Sequence, residues 1–336
     1  MAHRGLAAVA ALIVWSAAAV AAPRPAADEG RDLEGLWSSA SLTPLERPAG
    51  FAELVATEAE ARAFEASHNG GPLGAADPVG QTDSEWWEMG GRLTRIDGRA
   101  RSSVIVEPAD GRLPYSDAGR AALARSRAAM SNYDGPEVRP ATERCLTGVG
   151  GASVPPLLTA GYNNHVQIVQ TPAHVAIVTE MNHDARIVPL DAAPRPQTTS
   201  SWTGNSAGRW EGGTLVVRTT GFHPALGWRS PSPLFLSPAA EVTERFTRVS
   251  PGEIRYAFTV TDPAVFTRPW RGETTLRRTK GPMYEFACHE GNYSLTGVLA
   301  GARQAEAAAS HGDSAGRQPA PSRARPQSRS GAPSGK

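Results

Sequence analysis

The second half of the chain contains four pairs of strand-like segments, each pair joined by a short turn. The pairs are residues 163–170 and 174–180, 209–211 and 214–220, 242–249 and 253–261, and 273–279 and 283–289. Gly212-Gly213 suits a tight primed turn, and alternating polar and apolar residues are typical of strands. A further strand is predicted at residues 186–190. Because no helix is predicted between the pairs, we expect a mainly β fold, an antiparallel meander that forms a barrel or a sandwich.

The first half is less regular. It begins with a short strand around Gly35-x-Trp37, and helices are predicted at residues 51–66 and at about 117–130, the second with Ser116 or Asp117 as its N-cap. A strand is expected at 102–107. The stretch 132–158, rich in Gly and Pro, predicts an irregular arm. We therefore expect residues 30–158 to pack as an irregular part with two short helices on a barrel formed by residues 159–302.

The two ends differ from the rest of the chain. Residues 1–21 combine a short cationic start, an apolar run and the small-residue exit Ala19-Val20-Ala21, which predicts a signal peptide; an uncleaved anchor is the alternative. No other run is long enough to span a membrane, so we expect a periplasmic or secreted protein. Residues 303–336 contain no Ile, Leu, Val, Met or aromatic residue and predict a disordered basic tail.

Charge and cysteine content narrow the classes of function. The chain has 34 Lys and Arg against 33 Asp and Glu, so no broad basic field favours nucleic acid as a partner.

Cys145 and Cys288 are the two cysteines, and export would place them in an oxidising compartment. A disulfide between them is expected. A catalytic thiol or a metal ligand is the alternative.

Two resemblances add to this interpretation. The Gly35-x-Trp37 start followed by antiparallel strands resembles the lipocalin or calycin-like barrels. A wider resemblance, to a family of exported bacterial proteins, implies export but brings no activity to individual residues. It covers most of residues 33–303 through the stretches TPLERP, IVEPADGRLPY, YNNHVQIVQTPAHVAIVTEMNHDARIVPLD, GRWEGGTLVVRTTGF, ERFTRV, DPAVFTRPW and YEFACHEGNY.

The first hairpin brings candidate site residues together. If Gln170 pairs with His174, His165 and Gln167 share one face, which His183 joins if the strand continues. Asn164 and Glu180 lie on the other face. A shift of one residue in this pairing would exchange the faces.

The segment that follows holds the densest cluster of ionisable groups, namely Glu180, His183, Asp184 and Arg186. An imidazole, an acid and a guanidinium can share proton transfer and oxyanion stabilisation. Alternatively, Asn182-His183-Asp184 forms a turn that satisfies its own backbone, and Arg186 pairs with a carboxylate.

Three further residues are candidates for substrate binding: Trp270, His289 and Tyr293. His289 would be the opposite side of a site or a rim residue. Trp270 would stack on a ligand or plug the end of the barrel.

Two hypotheses of function follow. In the first, an acid-base enzyme (a lyase, isomerase or hydrolase) binds a small, partly apolar or aromatic molecule in a barrel pocket. His165 or His183 would be the base, Asp184 or Glu180 its orienting carboxylate and Arg186 an anion clamp. In the second, a lipocalin-like carrier uses the same groups to orient a ligand, and a structural envelope protein is a third possibility. No tight metal-ligand spacing or dinucleotide-binding motif is present, so no cofactor or metal is predicted. A metal held by His165, His183 and His289 with Glu180 or Glu290 is the alternative.

Overall fold

The computed structural model describes residues 30–68, 88–148, 152–191, 199–227 and 234–315. The fold is mainly β, with three α-helices and a few short 3₁₀ turns in these residues. The helices are α1 (Glu58–His68), α2 (Asp117–Ala129) and α3 (Ser294–Ala315). The strands are β1 (Gly35–Ser38), β2 (Arg95–Ile96), β3 (Arg99–Ala100), β4 (Ile105–Glu107), β5 (His165–Gln170), β6 (His174–Thr179), β7 (Ala185–Pro189), β8 (Asn205–Glu211), β9 (Thr214–Thr220), β10 (Glu241–Ser250), β11 (Glu253–Thr261) and β12 (Trp270–Arg278).

Nine of these strands form a nearly closed antiparallel barrel, as the turn pattern predicts. Their order is β7-β6-β5-β1-β12-β11-β10-β9-β8, and β4 pairs with β12 outside this path. The two edge strands approach each other at a single bridge between Leu190 and Gly208. A Cβ at position 208 would lie 2.8 Å from Cγ1 of Val188, so this close approach requires glycine.

The inside of the barrel is filled by side chains. Trp37, Phe246, Tyr256, Phe258 and Trp270 are all buried within one cluster that includes the inward residues of every barrel strand pair. Trp270 meets Phe258 edge-on, with ring centroids 5.5 Å apart. The barrel of the described residues is therefore a packed core, and a ligand site has to lie elsewhere.

The pairing of β5 with β6 corrects the register that we predicted. Val166 pairs with Thr179 and Gln170 with Val175, one residue away from the predicted pairing of Gln170 with His174. This register places the buried Ile168 opposite the buried Ile177, which aligns the apolar faces of both strands. His165 and Glu180 therefore lie directly across from each other rather than on opposite faces.

The predicted fourth hairpin is wrong in its second half. After β12 the chain leaves the sheet at Arg278, and residues 279–293 contain no helix or strand. The segment is held instead by Thr279, whose amide donates to Leu36, and by the disulfide between Cys145 and Cys288, which confirms the predicted pairing. The Cα atoms of the two cysteines are 5.7 Å apart.

Two predictions in the first half need correction. Helix α1 begins at Glu58 rather than at residue 51, because Thr57 and Glu60 form a capping box in which each side chain accepts from the other residue's amide. The sequence analysis did not predict the hairpin of β2 and β3. Its turn is Asp97-Gly98, a dipeptide typical of primed turns, and both residues have positive φ angles. The second helix matches its prediction, with Ser116 as N-cap.

The C-terminal prediction is also wrong in part, since residues 303–315 continue helix α3. Alanine has the highest helix propensity of all residues, so this segment becomes helical although its described side chains are exposed. No described helix is long and apolar enough to cross a membrane. The predicted signal peptide and residues 316–336 lie outside the described residues.

Candidate functional site

A buried imidazole and a buried carboxylate meet at the end of the first hairpin. His165 begins β5 and Glu180 follows β6, and the Glu180 amide donates to the His165 carbonyl at 2.9 Å. Strand alternation turns Val166 and Thr179 into the core, so the neighbouring His165 and Glu180 face outward. His165 Nδ1 lies 2.9 Å from Glu180 Oε2.

An opening of about 970 Å³ lies over this pair, and we call it the outer cleft. It is lined by His165, Glu180, Glu88, Tyr162, Asn163 and residues 284–288. The segment 284–288 covers Glu180, because the Tyr284 amide donates to Glu180 Oε1 at 2.9 Å. Glu180 is consequently only 1% exposed although it faces outward.

The position of Glu88 is set by backbone and amide contacts. Its amide donates to the carbonyl of Gly161 at 2.7 Å, and its carbonyl accepts from the Asn164 side chain at 2.9 Å. Asn164 is buried and also donates to Ala160. These contacts bring the Glu88 carboxylate to 3.7 Å from His165 Nε2.

The two nitrogens of His165 have different surroundings. An ionised Glu180 can only accept, so it favours the tautomer with the proton on Nδ1. In the neutral imidazole Nε2 then carries a lone pair at the wall of the outer cleft, and it makes no hydrogen bond among the described residues. The side chain is nine-tenths buried. This arrangement of an oriented imidazole with one open nitrogen is suited to proton transfer.

A metal ion is the other group that these residues could hold. One ligand atom each of Glu88, His165 and Glu180 lies within 4.8 Å of the others. However, Glu180 is already hydrogen-bonded to His165 Nδ1 and to the Tyr284 amide. Only His165 Nε2 and Glu88 would then remain as direct ligands, one fewer than the three protein ligands of catalytic zinc sites. The geometry therefore fits a hydrogen-bonded acid-base pair better than a metal centre.

Arg186 does not serve as the predicted anion clamp. It points into the barrel and binds Glu244 through two hydrogen bonds of 2.6 and 2.9 Å. Tyr256 donates to the same carboxylate at 2.8 Å. Burial lowers the pKa of Arg186, but the charge of Glu244 outweighs it and the net pKa is raised. Burial, followed by that same negative charge, raises the pKa of Tyr256 well above its usual value.

His183 and Asp184 form the turn that is the alternative interpretation of their sequence. Asn182 and His183 both have positive φ angles, and the His183 ring contacts the carbonyl of Asn182. His183 is exposed and Asp184 half-buried, with an Asn182 side-chain hydrogen bond to Asp184 Oδ1 at 3.3 Å. Burial raises the pKa of Asp184 against the opposing hydrogen bonds of Asn182, Ser153 and Gly148. Neither residue lines the outer cleft.

The remaining predicted substrate-binding residues do not converge on the cleft. Gln167 lies exposed on the outer face of β5, and His289 and Tyr293 are exposed beyond the covering segment. Trp270 is fully buried in the barrel, where it fills the interior and does not contact the cleft. Asn164 is next to the site and acts by holding Glu88.

Seven residues that line the cleft were not among the predicted site residues: Glu88, Tyr162, Asn163, Tyr284, Glu285, Phe286 and Ala287. Glu88 follows two tryptophans in the stretch EWWE, and Glu285 lies between Tyr284 and Phe286. An acid beside aromatic residues was the available signal in both places. It was overlooked because each stretch is far in sequence from the hairpin that it meets.

Together these features define a nearly closed antiparallel barrel with a packed interior and an external cleft that holds an imidazole-carboxylate pair. Comparisons with known proteins found no matching family model, no matching curated protein and no matching solved structure. The resemblances to lipocalins and to a family of exported proteins therefore stay predictions.

Proposed function

We propose that the protein is an exported enzyme that binds a small, partly apolar molecule in the outer cleft and acts on it by acid-base catalysis. His165 would accept and return a proton through Nε2, in a lyase, isomerase or hydrolase reaction. The observation that carries this proposal is the 2.9 Å contact of His165 Nδ1 with the buried Glu180, beside an Nε2 that faces the cleft.

Glu180 would be a positioning residue, since it is buried behind the imidazole. In Glu180→Gln the amide oxygen can still accept from Tyr284, but the amide NH₂ group then faces His165 Nδ1. Because an amide NH₂ group only donates, it favours the tautomer with the proton on Nε2, and His165 loses its open lone pair. Export is supported by the sequence of residues 1–21 and by the disulfide.

The test is solvent exchange, which detects proton transfer at carbon whatever the complete reaction is. The purified protein is incubated in D₂O with a panel of small aromatic and aliphatic compounds, and uptake of deuterium at carbon is followed by NMR. We expect exchange in at least one compound. Its rate should fall by about 10²- to 10⁴-fold in His165→Asn and stay unchanged in His174→Asn, an exposed histidine of the same hairpin.

Three outcomes decide the proposal. Exchange that persists in His165→Asn would refute the role of this residue. A displaced pH-rate profile in Glu180→Gln would support orientation by Glu180, whereas an unchanged profile would contradict it. Loss of exchange on chelation, restored by a divalent ion, would contradict the metal-free proposal.

A non-catalytic binding protein is the second candidate. The described residues that line the cleft include no serine or threonine, and the only cysteine among them is in the disulfide. A carrier needs no such nucleophile. A compound that co-purifies, stays unchanged in D₂O and dissociates intact would favour this candidate.

A further inference from the structure

The outer cleft is lined by carboxylates and by no Lys or Arg among the described residues. Three carboxylates, those of Glu88, Glu180 and Glu285, line it together with one imidazole. No Lys or Arg is among the described residues that line it. Residues 69–87, which precede Glu88, also contain no Lys or Arg in their sequence. An anionic ligand would therefore meet like charges with no Lys or Arg side chain to offset them.

Aromatic side chains line the same cleft. They are Tyr162, Tyr284 and Phe286, and Tyr162 and Tyr284 are at least one-third exposed. The faces of aromatic rings attract cations, and rings beside carboxylates are the usual surroundings of bound organic ammonium groups. An apolar part of a ligand would also find contact area there.

The imidazole provides an observation that is independent of the carboxylates. His165 is nine-tenths buried, and its Nε2 lacks a hydrogen bond among the described residues; Glu88 Oε1 lies 3.7 Å from this nitrogen. A ring nitrogen of a nine-tenths buried side chain at the wall of an open cleft is expected to meet a ligand or water there. The cleft is thus more than a group of acidic side chains at the surface.

We propose that the ligand of the outer cleft is a small organic ammonium ion that bears an apolar group. This proposal depends on the proposed function only because both place the ligand in the same cleft. It also removes a difficulty of that function. Proton loss from a neutral substrate leaves an anion, which Arg186 was predicted to stabilise, but Arg186 is buried against Glu244. When His165 Nε2 takes a proton from a carbon of a cationic substrate, the ammonium group of the same molecule offsets the negative charge left on that carbon. The product has no net charge, so no guanidinium is needed to balance it.

Three probes of equal shape and different charge test this proposal. They are choline, its uncharged carbon isostere 3,3-dimethyl-1-butanol, and the anion 3,3-dimethylbutanoate, each titrated into the purified protein and followed by calorimetry and ligand NMR. We expect choline to bind at least about 10-fold more tightly than the isostere, and the anion not to bind in the same range. Choline binding should weaken as ionic strength rises, and binding of the isostere should not.

Two variants locate the effect. Glu88→Gln should weaken choline about 5-fold, as expected for loss of one partly exposed charge contact, and leave the isostere unchanged. The control is Glu107→Gln, an exposed carboxylate that pairs with Arg271 and does not line the cleft; it should change neither. The salt titration of the unmodified protein gives the same information if Glu88→Gln fails to fold.

The outcomes separate this proposal from the proposed function. Equal binding of choline and the isostere, tighter binding of the anion, or no binding of any probe would overturn the cationic ligand. None of these results affects the D₂O exchange test of His165. Conversely, choline binding without any exchange would uphold the ligand class and favour the carrier.

Discussion

The barrel interior and the outer cleft each contain a carboxylate paired with a nitrogen base, and they differ in access. Inside the barrel, Glu244 accepts hydrogen bonds from both terminal nitrogens of Arg186 and from the hydroxyl of Tyr256. All three residues are at most 3% exposed. In the cleft, Glu180 is as deeply buried but its partner, His165, keeps one nitrogen toward an opening. A glutamate paired with a basic side chain therefore supports the fold in the barrel interior, whereas in the cleft such a pair is available for chemistry.

The largest loss of stability is expected when the buried ion pair of the barrel interior is broken. Glu244→Gln should destabilise the protein by about 3 to 5 kcal/mol, because it leaves the Arg186 guanidinium buried without its counter-ion. Urea unfolding followed by tryptophan fluorescence measures the loss. The double variant Arg186→Met, Glu244→Leu should recover most of it, since apolar residues can replace a buried ion pair. A loss below about 1 kcal/mol in Glu244→Gln would mean that the pair is open to solvent.

The disulfide is expected to have the next largest effect, and it acts on the cleft. Replacing both Cys145 and Cys288 by serine should cost about 2 to 4 kcal/mol of stability. It should also increase hydrogen exchange at the Tyr284 amide, because the covering segment loses its covalent anchor. Exchange within β10 and β11 serves as the internal control and should keep its order of protection. Unchanged exchange at Tyr284 would show that the segment is held without the disulfide.

A smaller effect is expected when the cleft pair is altered. Glu180→Gln should lower stability by about 1 to 3 kcal/mol, since it replaces the carboxylate that accepts from a buried imidazole by a neutral amide and forces the other tautomer. The matched control is Glu285→Gln, an exposed residue of the same cleft, which should stay within about 0.5 kcal/mol. A cost in Glu180→Gln equal to that in Glu244→Gln would break the comparison, because both pairs would then be structural.

The sequence predicts the barrel better than the site, for physical reasons. Three of the four hairpins are encoded locally, by turns such as Gly212-Gly213 and by alternation that aligns apolar faces. The fourth failed because residues 283–289 pack across the end of another hairpin, a contact that no local pattern encodes. For the same reason His165 and Glu180 were selected while Glu88 was missed. Arg186 was misassigned because its partner, Glu244, is 58 residues away.

The smallest effect concerns Asp184 and depends on pH. Burial raises the pKa of Asp184, so the folded protein holds this proton more tightly than the unfolded chain. The stabilisation from that proton is complete below the unfolded pKa and is lost as pH rises through the folded pKa. Asp184→Asn should therefore gain about 0.5 kcal/mol over the original protein at neutral pH, and the gain should vanish in acid.

Urea unfolding at a series of pH values measures this difference, with the exposed Asp134→Asn as control. A gain that is independent of pH would mean that the ionised carboxylate costs nothing in the fold. It would place Asp184 with the fully hydrogen-bonded groups of the barrel interior. A gain confined to neutral pH instead makes Asp184 a third kind of site, a half-buried carboxyl whose hydrogen bonds do not offset the cost of its burial. The size of the gain would then depend on how closely the turn at 182–184 packs against Gly148 and Ser153.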